Sequence, residues 1–101
     1  MKVPDEKVKN SSGIEVKAKN WVTLNKVTPV KNQGQCGSCW DFSAVGAMES
    51  LSLIRDEVYS DFSEQQVLDC ANYQYGYNAF GCGGGYPWVA FSYIKAHGLA
   101  T

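Results

Sequence analysis

Apolar side chains recur at helical spacing in two stretches of the chain. Trp40, Ala44, Ala47, Met48, Leu51 and Ile54 recur so that each has another of the set three or four positions away, the interval that places side chains on one face of a helix. Residues 38 to about 55 are therefore expected to form a buried amphipathic helix. Trp88, Phe91 and Ile94 repeat the spacing between Pro87, suited to a first helical turn, and Gly98, suited to a C-terminal cap, so a helix is expected over residues 87–97. A briefer helix is signalled by its start, where Ser63 and Gln66 have the spacing of a capping box, and it should end near Cys70. Residues 58–62 read as a connector. Residues 71–80 hold three tyrosines, two asparagines and a glycine and read as a surface loop. Residues 15–20 are expected to be an extended lead-in anchored by Trp21 in the core. Residues 1–14, rich in Lys, Asp, Glu, Asn and Ser with a Ser-Ser-Gly break, read as a solvated linker.

The chemistry concentrates where the first helix begins. The run Gln33-Gly34-Gln35-Cys36-Gly37-Ser38-Cys39-Trp40 places the Cys39 thiol just after a glycine-rich turn, at a helix N-terminus. There the unpaired N–H groups and the positive end of the helix dipole favour a thiolate and make a nucleophile of it. Gln33 is able to fold back across Gly34 and Gly37 and donate its amide to a developing oxyanion; a turn-stabilising amide is the plainer reading of it. Gly83-Gly84-Gly85 reads as a place where an extended peptide backbone approaches protein backbone with no side chain between. His97 is the only histidine; beside Gly98 it reads as a helix C-terminal residue rather than a catalytic one. Asp41, about 200° around the helix from Cys39, should point away from the sulfur, its charge suiting the helix dipole. Cys36-x-x-Cys39 also has the spacing of a redox or metal motif, with Cys70 and Cys82 as further ligands. A redox site calls for a strand before the motif and a zinc site for a second closely spaced cysteine pair; a turn stands in the first place, and Cys70 and Cys82 are too far apart for the second.

Composition narrows the classes. The 101 residues, 45% hydrophobic and 13% aromatic, suffice for one small core. Nine basic against ten acidic side chains, with no basic block, give no reason to expect nucleic acid. No apolar run approaches the roughly 20 residues of a membrane helix, and residues 1–9 lack the apolar middle of a signal peptide.

The segment from Gln33 to Trp40, followed by Phe42-Ser43, resembles the active-site segment of the papain and cathepsin L group of cysteine peptidases. So do Trp21, Val27-Thr28-Pro29-Val30-Lys31-Asn32, Ser63-Glu64-Gln65-Gln66 with Leu68 and Asp69-Cys70, and Gly81-Cys82-Gly83-Gly84-Gly85-Tyr86-Pro87-Trp88, in the group's chain order. The resemblance implies an α+β papain-like fold of which this chain is the mainly helical left domain, three helices joined by long loops. Residues 1–14 would be the tail of a propeptide and residues 15–101 the incomplete N-terminal half of the peptidase domain. It implies Cys39 as nucleophile, with its own N–H and Gln33 as oxyanion donors, and hydrolysis of peptide bonds through an acyl-thioester. Substrate contacts would fall to Gly37, Gly84 and Gly85, with Tyr86 and Pro87 walling an apolar pocket. Cys36 would pair with Cys82, and Cys70 with a cysteine beyond Thr101. The group's catalytic histidine lies on the order of 130 residues past the cysteine, so the 101 residues alone are expected to be inert, the histidine and its orienting asparagine belonging to a β-rich C-terminal half. Polypeptide substrates, cystatin-type inhibitors and a lysosomal, vacuolar or extracellular setting follow from the resemblance; no metal or organic cofactor does. The alternative is an inert half-domain that binds peptides or a peptidase. Gly83 stands where many relatives carry a polar residue, and Asp41 where they commonly carry a small one.

Overall fold

The computed structural model describes residues 7–9 and 15–101. Lys7–Lys9 (β1) pairs antiparallel with Glu15–Lys17 (β2), Val8 standing opposite Val16. A three-residue strand is too short for a period-two pattern to register, so the sequence reads residues 7–9 as linker; the rest of that expected linker lies outside the described residues. Helices follow at Cys39–Asp56 (α1), Glu64–Cys70 (α2) and Pro87–His97 (α3), with 3-10 turns at Tyr73–Tyr75 and Gly81–Gly83.

The core lies where α1 packs against α2 and α3. Trp40, Ala44 and Val45 of α1 meet Val67 of α2 and Val89, Ala90, Tyr93 and Ile94 of α3, with Ala71 and Ala79 closing the cluster. The buried stripe of α1 follows the one its apolar residues draw at Trp40 and Ala44 and then leaves it. Its buried residues are Trp40, Asp41, Ala44, Val45 and Glu49, whereas Leu51 and Ile54 are 40% and 39% exposed. α2 and α3 claim the face centred on Ala44 and Val45, which turns Leu51 and Ile54 outward. On α3 likewise Trp88 and Phe91 are exposed and the buried face runs through Val89, Ala90, Tyr93 and Ile94. Trp21 is exposed too; it lies under the Lys19 ammonium, 4.4 Å from the ring centroid, a cation–π contact in place of core packing.

The capping box is realised by half. Ser63 Oγ accepts from the Gln66 N–H at 3.0 Å, but the Gln66 side chain does not return the bond. Its amide donates to Tyr93 Oη at 2.9 Å and its oxygen accepts from the Ala100 N–H at 2.7 Å. The Ser63 N–H goes to the Ala100 carbonyl at 2.8 Å instead. The chain after α3 thus supplies the leg of the cap that Gln66 gives up. The loop over 71–80 is internally tied: Asn72 caps the 3-10 turn, the Tyr73 N–H reaches the Ala79 carbonyl, and the Tyr77 N–H reaches the Asn72 carbonyl.

Candidate active site

Cys39 is the first residue of α1 and is exposed, with its thiol free. Ser38 precedes it as N-cap but makes no side-chain cap bond; its carbonyl accepts from the Asp41 N–H at 3.0 Å, while the Cys39 N–H has no backbone partner among the described residues and is left for another acceptor. A hollow of about 490 Å³ opens here, lined by Cys39, Phe42, Gly46 and Ala47 of α1 and by Gln33 and Val30 of the preceding segment. The faces of α1 divide the work: Phe42, Gly46 and Ala47 serve the hollow while Ala44 and Val45 serve the core.

The Gln33 amide nitrogen donates to the Cys36 carbonyl at 2.7 Å. That bond fixes the turn before the helix and leaves the second N–H of the same amide uncommitted. Gln33 and Cys39 therefore share one hollow, with the amide held as a turn brace. Cys36 is bonded to Cys82, which ties the turn to the Gly81–Gly83 segment 46 residues later. Beside that bond the Gly37 N–H meets the Cys82 carbonyl at 3.0 Å, and a Cβ on Gly37 would lie 2.5 Å from that oxygen. Only a residue without a side chain lets the two backbones meet so closely. Gly85 is likewise pressed against Trp40, where an added Cβ would stand 2.7 Å from the indole ring, and Trp40 Nε1 donates to the Gly81 carbonyl at 3.3 Å. Gly84, next to it, has φ 124° and open space where a Cβ would be. Tyr86 stacks on Trp88 at 4.5 Å between centroids and 14° between planes, both exposed, and Pro87 opens α3. The glycine segment and the turn before Cys39 are thus held side by side by a disulfide, a backbone hydrogen bond and an indole.

The wall of the same hollow includes Lys31, Glu49 and Glu64, part of a charge cluster that sequence reasoning missed. Lys31 Nζ donates to Glu49 at 2.7 Å, to Asp61 at 2.8 Å and to Glu64. Burial works against the Lys31 ammonium, but the bonds to Asp61, Glu49 and Glu64 outweigh it and hold its pKa above the usual lysine range. Glu49, 1% exposed, also accepts from Thr28 Oγ1 at 2.7 Å and from the Phe62 N–H at 2.8 Å. The available signal was the spacing of Asp41, Val45 and Glu49, four apart on α1.

Asp41 departs from its expected role. It does lie on the buried side while Cys39 is exposed, yet neither carboxyl oxygen has a hydrogen-bond partner among the described residues. Burial, reinforced by Glu64 and opposed by Lys31, pushes its pKa up to about 7. A carboxyl so placed is neutral in acid and brings no charge to the helix dipole there. His97 ends α3, exposed, its ring 4.9 Å from that of Tyr93. It lines a second hollow of about 480 Å³ with Cys70, Tyr75, Tyr77 and Tyr93, which shares no lining residue with that of Cys39.

Residues 16–101 match the family described as papain family cysteine protease. The chain is 46% identical over 80 residues to papain of Carica papaya, the match covering 79% of this chain and 22% of papain. It is 49% identical over 79 residues to digestive cysteine proteinase 3 of Homarus americanus, covering 78% of this chain and 24% of that protein. The solved structure of a Carica candamarcensis cysteine protease in complex with E-64 superposes with a TM-score of 0.72 at 41% identity, over 80% of this chain and 36% of that one. The chain thus spans about a quarter of the length of these curated relatives, and its three helices form the helical half of their α+β fold. With the family match running over most of its length, the chain belongs to the papain family of cysteine proteases.

Proposed function

We propose that the chain is the nucleophile-bearing part of a cysteine peptidase that cleaves peptide bonds through an acyl-thioester on Cys39. The observation that carries this reading is the exposed Cys39 thiol at the uncapped start of α1, in one hollow with Gln33. Cys39 attacks the carbonyl carbon; its own N–H and the spare N–H of Gln33 receive the oxyanion. An imidazole must first take the thiol proton and later give it to the leaving amine. Since His97 lines another hollow, that imidazole and the asparagine orienting it come from a β-rich half outside these 101 residues. That half would cover the Val30 and Ala47 side of the hollow, and a cysteine of the chain beyond Thr101 would pair with Cys70.

Gly37, Gly84 and Gly85 would hold the substrate main chain, and Tyr86 with Pro87 would bound an apolar pocket. Residues 1–14 would be propeptide tail and residues 15–101 the start of the mature domain. A lysosomal, vacuolar or extracellular setting and inhibition by cystatin-type proteins accord with the family. The second reading is an inert module that binds peptides in the same hollow, favoured by the engagement of Gln33 with the Cys36 carbonyl.

The test is hydrolysis of fluorogenic peptides by the full-length protein, with and without E-64, beside Cys39→Ala. Turnover that E-64 abolishes and that falls on the order of a millionfold, to background, in Cys39→Ala is expected. Peptide binding equal in both proteins with turnover in neither would replace the peptidase by the binding module.

A further inference from the structure

The first turn of α1 carries a carboxyl group that neither the packing nor the proposed chemistry uses. Asp41 is fully buried, and both of its oxygens lack a partner among the described residues. An ionised carboxylate in that position has no donor to replace water, whereas the neutral acid forgoes far less on burial. The groups around it offer little relief. On α2, Glu64 repels a charge there; from the preceding segment Lys31 attracts it, but its three N–H donors are already taken by Glu49, Asp61 and Glu64. On α1 itself Glu49 is held by Thr28, Lys31 and the Phe62 N–H. On α3 the Tyr93 hydroxyl is bonded to Gln66, and Lys95 and His97 are exposed.

We propose that Asp41 is a pH-sensitive element of the nucleophile helix: as a neutral acid it packs within the core face of α1, and on losing its proton it weakens the folded state. This inference does not depend on the peptidase reading. Its direction follows from linkage. The carboxyl titrates near 7 in the fold and near its ordinary value of 3.8 in the unfolded chain. Between those values the folded chain keeps a proton that the unfolded chain has released, so stability falls as pH rises, roughly tenfold in the folding equilibrium per pH unit. Above 7 both states are ionised and the effect is level. Lys31, its pKa raised, acts only in the alkaline range.

The experiment compares urea unfolding of the full chain with that of Asp41→Asn, a neutral replacement of the same shape, from pH 4.5 to 8.5. The ratio of their folding constants should move in favour of Asp41→Asn by roughly tenfold per pH unit up to about pH 7 and then stay constant. A ratio constant across the whole range would overturn the proposal. Should Asp41→Asn fail to fold, the Asp41 side-chain carbonyl carbon is followed by NMR in the unaltered protein. A midpoint near 7 is expected there, and a midpoint near the ordinary carboxyl value would overturn the inference as decisively.

Discussion

Lys31 shows how one side chain organises its surroundings. Its three donors meet three carboxylates, those of Glu49, Asp61 and Glu64, which draws the segment before the Cys36–Ser38 turn onto α1 and α2. The most buried of the three is Glu49, whose loss would leave Thr28 Oγ1 and the Phe62 N–H without an acceptor. Glu49→Ala is expected to cost about 3 kcal/mol of stability, the lower end for a broken buried pair because Lys31 keeps its other two partners. The shift in urea midpoint at unchanged slope measures it. Gly37 is constrained differently, by contact between backbones. Gly37→Ala would set a Cβ 2.5 Å from the Cys82 carbonyl oxygen, across a junction already closed by the Cys36–Cys82 bond. Neither partner is a side chain that can swing aside, so a loss of about 2 kcal/mol is expected by the same measurement. The glycine-rich character of both segments was legible in the sequence. That Gly37 and Gly85 answer to Cys82 and Trp40 was not, since those contacts join residues more than forty positions apart.

At the scale of elements, the helices stand close to where periodicity and punctuation put them, because spacing, Pro87 and Ser63 all act within a few residues. Their facing is another matter. α1 turns Ala44 and Val45 inward and leaves Leu51 and Ile54 exposed, a choice made by the position of α2 and α3 rather than by α1. The cap of α2 divides in the same way: the local leg, Ser63 Oγ to the Gln66 N–H, is present, while the return leg passes to Ala100. Ser63→Ala should cost about 1 kcal/mol. Amide exchange will locate the loss: Gln66 and the first turn of α2 should exchange faster, with the interior of α1 slowed or hastened only through global stability.

Over the whole molecule, the Cys36–Cys82 bond closes a loop of 46 residues that contains α1 and α2. Reduction is expected to lower stability by about 4 kcal/mol in the chain-entropy account, read from unfolding with and without dithiothreitol; an unchanged midpoint would mean that the helical core alone sets stability. The chain by itself determined which segments are helical, where a thiol meets a helix N-terminus, and to which family the motifs point, because each of these is written within a short span of residues. Tertiary structure alone decided which helix faces are buried, that Gln33 braces the Cys36 carbonyl, that Lys31 gathers three carboxylates, and that Asp41 is enclosed without a partner. Burial and pairing depend on what arrives from distant positions, and no local pattern carries that information.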